Sequence, residues 1–307
     1  MRISDEYPHE MGLNVDGRTY AVQVFKRVTQ PGKVPRLVIP AYQPNQMASG
    51  ILRVCIQAIQ HHTPEPHELW VVDSNSPKNN LDWLLEWPDI NLVLNRTEPV
   101  PPEGRRFEFI WCLLRGQRHW GSYANAIGLE LATRLIDPRA KYLMTLHMDT
   151  MPCHVGWLSF LQSALGPRVR AAGVRMDRLR VPEGVLHVLG YLVDFQLFRH
   201  LHLNFLPQLP DYDVGDRVTV MLRKAGYDVF ACRNTHTDPE LVDRIPSSSP
   251  LRGLYVDRTF DTSGNVIFLH LGRGVNKAAG TIYAGKTTPE EWTCFADRHL
   301  LSEGDTR

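Results

Sequence analysis

RLVIPAYQPNQMASGILRVCIQAIQHHTPEPHELWVVDSNS, Arg36–Ser76, holds two short apolar runs on either side of one helical pattern. RLVIPAY (36–42) is long enough for a buried strand and stops in a Pro-containing loop. Ile51, Val54, Cys55, Ala58 and Ile59 then recur at i, i+3, i+4, i+7 and i+8, the period of a helix with one buried face. ELWVVDSNS (68–76) is a second apolar run that ends in polar turn residues. Strand, helix, strand at this spacing is a βαβ unit, in which parallel pairing and a right-handed crossover are expected.

Working outward, INLVLN (90–95) reads as a third strand, and GSYANAIGLELATRL places Ala124, Ile127, Leu131 and Leu135 on one helical face. KYLMTLHMDT (141–150) is a buried strand running into His147 and Asp149. Residues two apart in an extended chain point to the same side, so this imidazole and carboxylate can face one ligand. The first half is therefore a doubly wound α/β sheet. The second half is less regular: a helix near 157–165, a strand near 171–174, an apolar segment from Val185, and a helix over 217–225 closed by Gly226. YDVFAC and NVIFLH are two more short strands, the last ending at His270. The expected division is an N-terminal extension (1–35), a nucleotide-binding half (36–175), an acceptor-side half (176–286) and a tail (287–307).

A net charge of +1 gives no reason to expect a polyanionic partner such as nucleic acid. Five scattered cysteines without a C-x-x-C pair argue against a disulfide framework or a structural zinc site, and Cys153-His154 alone does not make one. The first residues, MRISDEYPHEMG, carry acids and lack the apolar core of a secretory signal, and no apolar run is long enough to cross a membrane. A cytoplasmic location is the expectation, with contact to the inner membrane face as an option.

In open α/β sheets, ligands bind beyond the carboxyl ends of the strands. Pro40, Ala41, Tyr42, Asp73, Asn75, His147, Asp149 and His270 all lie at such ends, with Arg273 close by in HLGRG. Two imidazoles, two carboxylates and an arginine can hold a divalent cation and a diphosphate. Neither G-x-G-x-x-G nor G-x-x-x-x-G-K-[ST] is present, which removes the main support for dinucleotide dehydrogenases and P-loop enzymes.

The order VIPAY, VVDSNS, G-x-x-x-N-x-x-G on a helix, then a strand with a terminal acid followed by GWL resembles the family-two, GT-A-type glycosyltransferases over roughly 36–273. The resemblance implies a GT-A sheet and an inverting, metal-dependent transfer from a nucleotide-diphosphate sugar (UDP, dTDP or GDP linked) to a glycan or lipid-linked acceptor. It implies base and ribose contacts from Pro40, Ala41, Tyr42, Asp73 and Asn75, and donor contacts from Asn125 and Arg273. Mn²⁺ or Mg²⁺ would be held by His147, Asp149 and His270. His147 stands where the family carries an acid, and imidazole suits Mn²⁺ better than Mg²⁺. The acidic pair that precedes the helix ending in RKAGY falls here on Val214 and Gly215, so Asp213 and Asp216 become the candidate bases, Asp213 first, with Asp216 open to being a helix cap.

Structural roles stand beside several of these readings. Asp73 can close its own turn, Asn125 can pack, His270 can be a core histidine, and His61-His62 can finish a helix. The stretch 103–120, EGRRFEFIWCLLRGQRHW, reads first as an amphipathic helix with solvated arginines and second as an acceptor rim. The apolar stretch 191–205 reads first as core and second as a membrane contact. The alternative function is an inactive GT-A domain that binds a nucleotide sugar or glycan; a sugar nucleotidyltransferase ranks third because the chain lacks its triphosphate loop.

Overall fold

The computed structural model describes residues 8–114, 120–176 and 183–301. Its large sheet begins earlier than hydropathy suggests. β1 (His9–Val15) and β2 (Arg18–Phe25) form an antiparallel hairpin whose two-residue turn, Asp16 and Gly17, has both φ angles positive, at 50° and 76°. That is the geometry for which an Asp-Gly pair is suited, since it matches the strand twist. The first 35 residues, read above without elements, thus add two strands to the sheet through pairing of β2 with β5 (Asn91–Asn95).

The βαβ unit forms as its pattern requires. β3 (Arg36–Ala41) pairs in parallel with β4 (Glu68–Ser74), and α1 (Gln46–His62) crosses between them. Asn45 caps α1 by accepting from the Ala48 amide at 3.0 Å. The short α2 (Asp82–Leu85) precedes β5, and α3 (Glu103–Leu114) and α4 (Trp120–Leu135) lead to β6 (Tyr142–Leu146). Next come β7 (Thr150–Pro152), α5 (Trp157–Ser163), β8 (Val169–Arg175), β9 (Leu186–Asp194), α6 (Phe195–His200), α7 (Asp216–Lys224) and β10 (Asp228–Cys232). The chain ends with β11 (Asp257–Phe260), β12 (Val266–His270), α8 (Gly274–Ala278) and α9 (Pro289–His299).

The strand order is β1-β2-β5-β4-β3-β6-β9-β8-β10, and only β2 and β9 run against the other seven strands. β3 is flanked by β4 on one side and β6 on the other, so the winding direction reverses there and a crevice opens at the strand ends. One apolar core, containing α1, α5 and α9, covers one face; the other, containing α4, α6 and α7, covers the opposite face. This is a mixed α/β, doubly wound and mostly parallel architecture.

Tyr191, Phe195, Phe198 and Phe205 are buried in β9, α6 and the loop beyond, so the stretch read as a possible membrane contact is core. β9 lies between β6 and β8 with helices on the α4 side, which leaves its apolar residues no free face. The tail carries α9, whose Thr288–Glu291 capping box starts a helix that buries Trp292, Phe295 and Ala296 in the core shared with α1. Arg115 and Arg118 lie outside the described residues. A second, three-stranded sheet, β11-β12-β7, has no counterpart in the sequence reading. β7 is only three residues long, yet its pairing sets Thr150 opposite His270.

Candidate active site

His147 directly follows β6, Asp149 directly precedes β7, and His270 is the last residue of β12. The three side chains offer one ligand atom each within 4.8 Å of one another, the one such group among the described residues. The second sheet makes this possible: the Leu271 amide donates to the Asp149 carbonyl at 3.0 Å, which holds the end of β12 against the His-x-Asp turn. Asp149 Oδ2 accepts from the Gly274 amide at 2.8 Å. Its other oxygen, Oδ1, lies 3.4 Å from His270 Nε2 and 3.9 Å from His147 Nδ1.

Each ring is set from behind. The Asn125 side-chain amide meets His147 Nε2 at 2.9 Å. Asn125 reaches it because α4 packs closely on β3, where a Cβ on Gly128 would come within 2.9 Å of the Pro40 ring. His270 Nδ1 is buried without a hydrogen bond and lies 3.8 Å from Asp257 Oδ2, across the β11–β12 pair. His187 of β9 sits edge-on to His147 with ring centroids 5.2 Å apart.

Charge divides the two rings. Burial pushes His147 down to about 4, assisted by the nearby His270 charge and against the pull of Asp149 and Asp213. Burial also works against a charged His270, but Asp149 and Asp257 on its two sides outweigh it and raise the ring to about 10. Burial alone would raise the Asp149 carboxyl; the two imidazoles and the Gly274 amide reverse this and hold it well below the usual carboxylate range.

Two imidazole nitrogens and one carboxylate oxygen converging in a buried corner fit a divalent transition ion. His270 turns Nε2 toward Asp149 and Nδ1 toward Asp257, so the ring atom nearest the corner is free to serve as a ligand once deprotonated. The set is less suited to Mg²⁺, which favours oxygen donors.

The remaining expected residues fall into two further groups. At the ends of β3 and β4, Pro40 and Ala41 are buried, Tyr42 is 41% exposed, and Asn75 is exposed with φ 63°. Asp73 is wholly buried and both its oxygens are taken: the Ser76 amide donates to Oδ2 at 2.9 Å and the Ser76 hydroxyl to Oδ1. Burial raises this carboxyl, which the Ser76 bonds partly offset. The Gln43 amide in turn donates to Ser76 Oγ at 2.7 Å, and Trp83 Nε1 donates to Gln43 Oε1 at 3.0 Å. Arg273 is exposed, with its guanidinium 4.8 Å from the Tyr283 ring centroid.

The other group is the loop before α7. Asp213 and Asp216 are both buried, and only Asp213 acts on the charge of His147. Asp216 does not cap α7. Gly215, with φ 75°, occupies the cap position, and Asp216 Oδ2 accepts from the Asp213 amide at 2.8 Å, fastening the turn from inside. Sequence reading had not singled out Asp257, His187, the Gly274 amide or the Ser76–Gln43 support. An acid opposite a candidate ligand in a paired strand would have pointed to Asp257 had β11 been recognised.

No protein-family model and no curated protein matches the sequence. Solved structures do resemble it in fold. An active-site mutant of LgtC aligns over 85% of this chain and 95% of its own, with a TM-score of 0.50 at 13% identity. The mannosyltransferase PcManGT from Pyrobaculum calidifontis, solved with GDP-Man and Mn²⁺, aligns over 66% of this chain with a TM-score of 0.45 at 17% identity, and this chain spans 58% of its length. A 4-diphosphocytidyl-2C-methyl-D-erythritol synthase from Anaerococcus prevotii aligns over 66% of this chain and 88% of its own, with a TM-score of 0.39 at 12% identity. The likeness to LgtC, which spans nearly the whole chain, is one of GT-A-type fold.

Proposed function

We propose that this chain is a metal-assisted glycosyltransferase that moves a sugar from a nucleoside diphosphate to an acceptor hydroxyl with inversion at the anomeric carbon. The observation that carries the proposal is the convergence of His147, Asp149 and His270 at the reversal point of a GT-A-type sheet, with Asp213 near enough to bias His147. A bound divalent cation, Mn²⁺ in preference to Mg²⁺, would offset the charge that grows on the departing diphosphate.

The chain's own residues divide the remaining work. Asp149 presents Oδ1 because Gly274 fixes Oδ2. Asn125 holds the orientation of His147. Tyr42 and Asn75, exposed at the ends of β3 and β4, line the base and ribose side, and Asp73 acts through the Ser76 turn that it closes. Exposed Arg273 faces the diphosphate, and positioning of the donor by these groups lowers the barrier without chemical participation. Asp213 takes the acceptor proton as general base.

Thermal shift with UDP, dTDP and GDP, with and without Mn²⁺, tests the donor side. At about one hundred times the dissociation constant the stabilisation is expected to be roughly 2.7 kcal/mol. No metal-dependent shift with any of the three would sink the proposal. NMR of the anomeric centre in the product tests inversion; a retained configuration would remove Asp213 as the base.

A binding domain without turnover is the second reading. It is favoured by the use of Asp213 Oδ1 for the Val214 amide and Asp216 Oδ2 for the Asp213 amide, which engages both acids within their own loop. Metal-dependent donor binding with no transfer or donor hydrolysis across an acceptor panel would select it.

A further inference from the structure

Asp149 offers a metal one oxygen rather than two. Its Oδ2 is taken by the Gly274 amide at 2.8 Å, while Oδ1 faces both rings, 3.4 Å from His270 Nε2 and 3.9 Å from His147 Nδ1. The side chains therefore contribute three donors, two nitrogens and one oxygen, and among the described residues the group has no fourth histidine, cysteine or acid. The corner is also tight. The side chains of Asp149 and His270 are 7% and 9% exposed, and His147, at 19%, is the most open of the three. An octahedral ion would have to gather three more ligands there, whereas a tetrahedral ion needs one.

Spacing agrees with the lower number. Two donors held 2.0–2.1 Å from a tetrahedral ion stand about 3.3–3.4 Å apart, whereas neighbouring donors on octahedral Mg²⁺ at the same bond length stand about 2.8–3.0 Å apart. The Asp149–His270 pair already has the wider spacing, and His147 Nδ1 has only to close from 3.9 Å to about 3.4 Å. Donor type acts in the same direction, because imidazole suits late first-row ions while Mg²⁺ takes oxygen.

We propose that His147, Asp149 and His270 form a four-coordinate site selective for Zn²⁺ or Co²⁺ over Mg²⁺, with Mn²⁺ between them, and that His147 is the residue that sets this selectivity. The inference rests on reading the three residues as metal ligands, and it does not depend on the transfer reaction. Three protein ligands and one open position are the arrangement of a zinc site that acts on a bound group, in contrast to the closed four-ligand sites that only hold a fold together. An acid at position 147 would replace a nitrogen with oxygen and move the set toward the ions that carboxylates favour.

Co²⁺ is the probe, since four-coordinate Co²⁺ absorbs visible light far more strongly than six-coordinate Co²⁺. The full metal-free chain is expected to develop an intense visible band that saturates at one ion per chain, to lose it to equimolar Zn²⁺ and to keep it in excess Mg²⁺. His147→Asp should bind Co²⁺ with a weak, six-coordinate spectrum, and Mg²⁺ should displace it at a concentration at least about tenfold lower than the unaltered chain requires. His147→Ala should lose the intense band without gaining Mg²⁺ affinity, which separates donor type from loss of the ring, and melting temperatures control for folding. A weak, six-coordinate spectrum in the unaltered chain would overturn the selectivity while leaving a metal site in place. Equal displacement by Mg²⁺ in the unaltered chain and in His147→Asp would do the same. No heat and no spectral change with Co²⁺, Zn²⁺ or Mn²⁺ would instead overturn the metal reading, and the inference with it.

Discussion

The Asn125 amide lies 2.9 Å from His147 Nε2, which leaves Nδ1 as the ring atom turned toward Asp149. The contacting atom is Asn125 Nδ2, a donor, and Oδ1 is buried without a hydrogen bond, so in the metal-free arrangement Nε2 accepts and Nδ1 carries the ring proton. For Nδ1 to offer a lone pair to a metal, the amide must turn over so that Oδ1 accepts from Nε2–H. The asparagine is thus a tautomer selector for the histidine. Asn125→Leu is expected to lower Mn²⁺ affinity about 10- to 100-fold, the usual cost of losing such a partner. Asn125→Asp, an obligate acceptor, should retain it. Calorimetric titration with Mn²⁺ distinguishes the two, and equal affinities in all three proteins would show that the contact is only packing.

Gly274 approaches Asp149 so closely that a Cβ there would sit 2.8 Å from the Asp149 Cβ and 2.9 Å from Oδ2. Gly274→Ala keeps every ligand but pushes the carboxylate off its amide. Its Mn²⁺ affinity should fall toward that of Asp149→Ala, with little change in melting temperature. His147→Ala should be the milder ligand deletion, because Asp149 and His270 remain paired at 3.4 Å. Normal metal binding by Gly274→Ala would mean that the loop after β12 yields freely.

The two aspartates before α7 should respond differently to the same substitution. Asp213→Asn removes proton acceptance and is expected to cost on the order of 10²–10⁴ in turnover with donor binding unchanged. Asp216→Asn keeps an oxygen for the Asp213 amide and should stay active, while Asp216→Ala strands that amide at a cost of about 1–3 kcal/mol in stability. Steady-state rates and urea melts would report both. An inactive Asp216→Asn beside an active Asp213→Asn would exchange their roles.

Metal binding should expel a proton. His270, raised to about 10, is charged at neutral pH in the metal-free protein, and a ligand imidazole must be neutral. Close to one proton is expected to be released per ion at pH 7.5, read from calorimetry in buffers of different ionisation enthalpy. The metal-free fold carries the converse dependence: the charge on His270 contributes stability that is complete below its ordinary value of 6.5 and is lost as pH climbs through about 10. Buffer-independent binding enthalpies would place His270 outside the ligand set.

How far these features were legible follows from the range of the signals. β3, α1, β4 and β6 announce themselves through uninterrupted apolar runs and one clean helical period, and the residues at their ends, Tyr42, Asp73 and His147, could be named from those runs alone. The β1–β2 hairpin was passed over although its signals are local: Met11, Leu13 and Val15 alternate with polar residues and glycine, Asp16-Gly17 marks the turn, and Tyr20, Val22 and Val24 alternate inward; β1 lies at the sheet edge, where of its three apolar residues only Val15 is buried. β7 was hidden for a different reason. Three residues have no period, and their partner strand is more than a hundred positions away, so nothing local shows that Thr150 faces His270. Asp257 and His187 were missed with it, since each acquires meaning only from the ring it stands beside. The path of the Asp213 loop depends on Gly215 and on an internal hydrogen bond, neither of which spacing can reveal.

The β7–β12 pairing also has a consequence for how the protein is made. A chain emerging from the ribosome folds from its amino end. All nine strands of the large sheet have been synthesised once Cys232 is reached. The second imidazole is not supplied until His270, when β12 slots against β7. A chain interrupted between those points carries every strand of the large sheet and two of the three ligands, but nothing to close the ion in. Competence at the candidate metal site therefore reports that translation has passed His270.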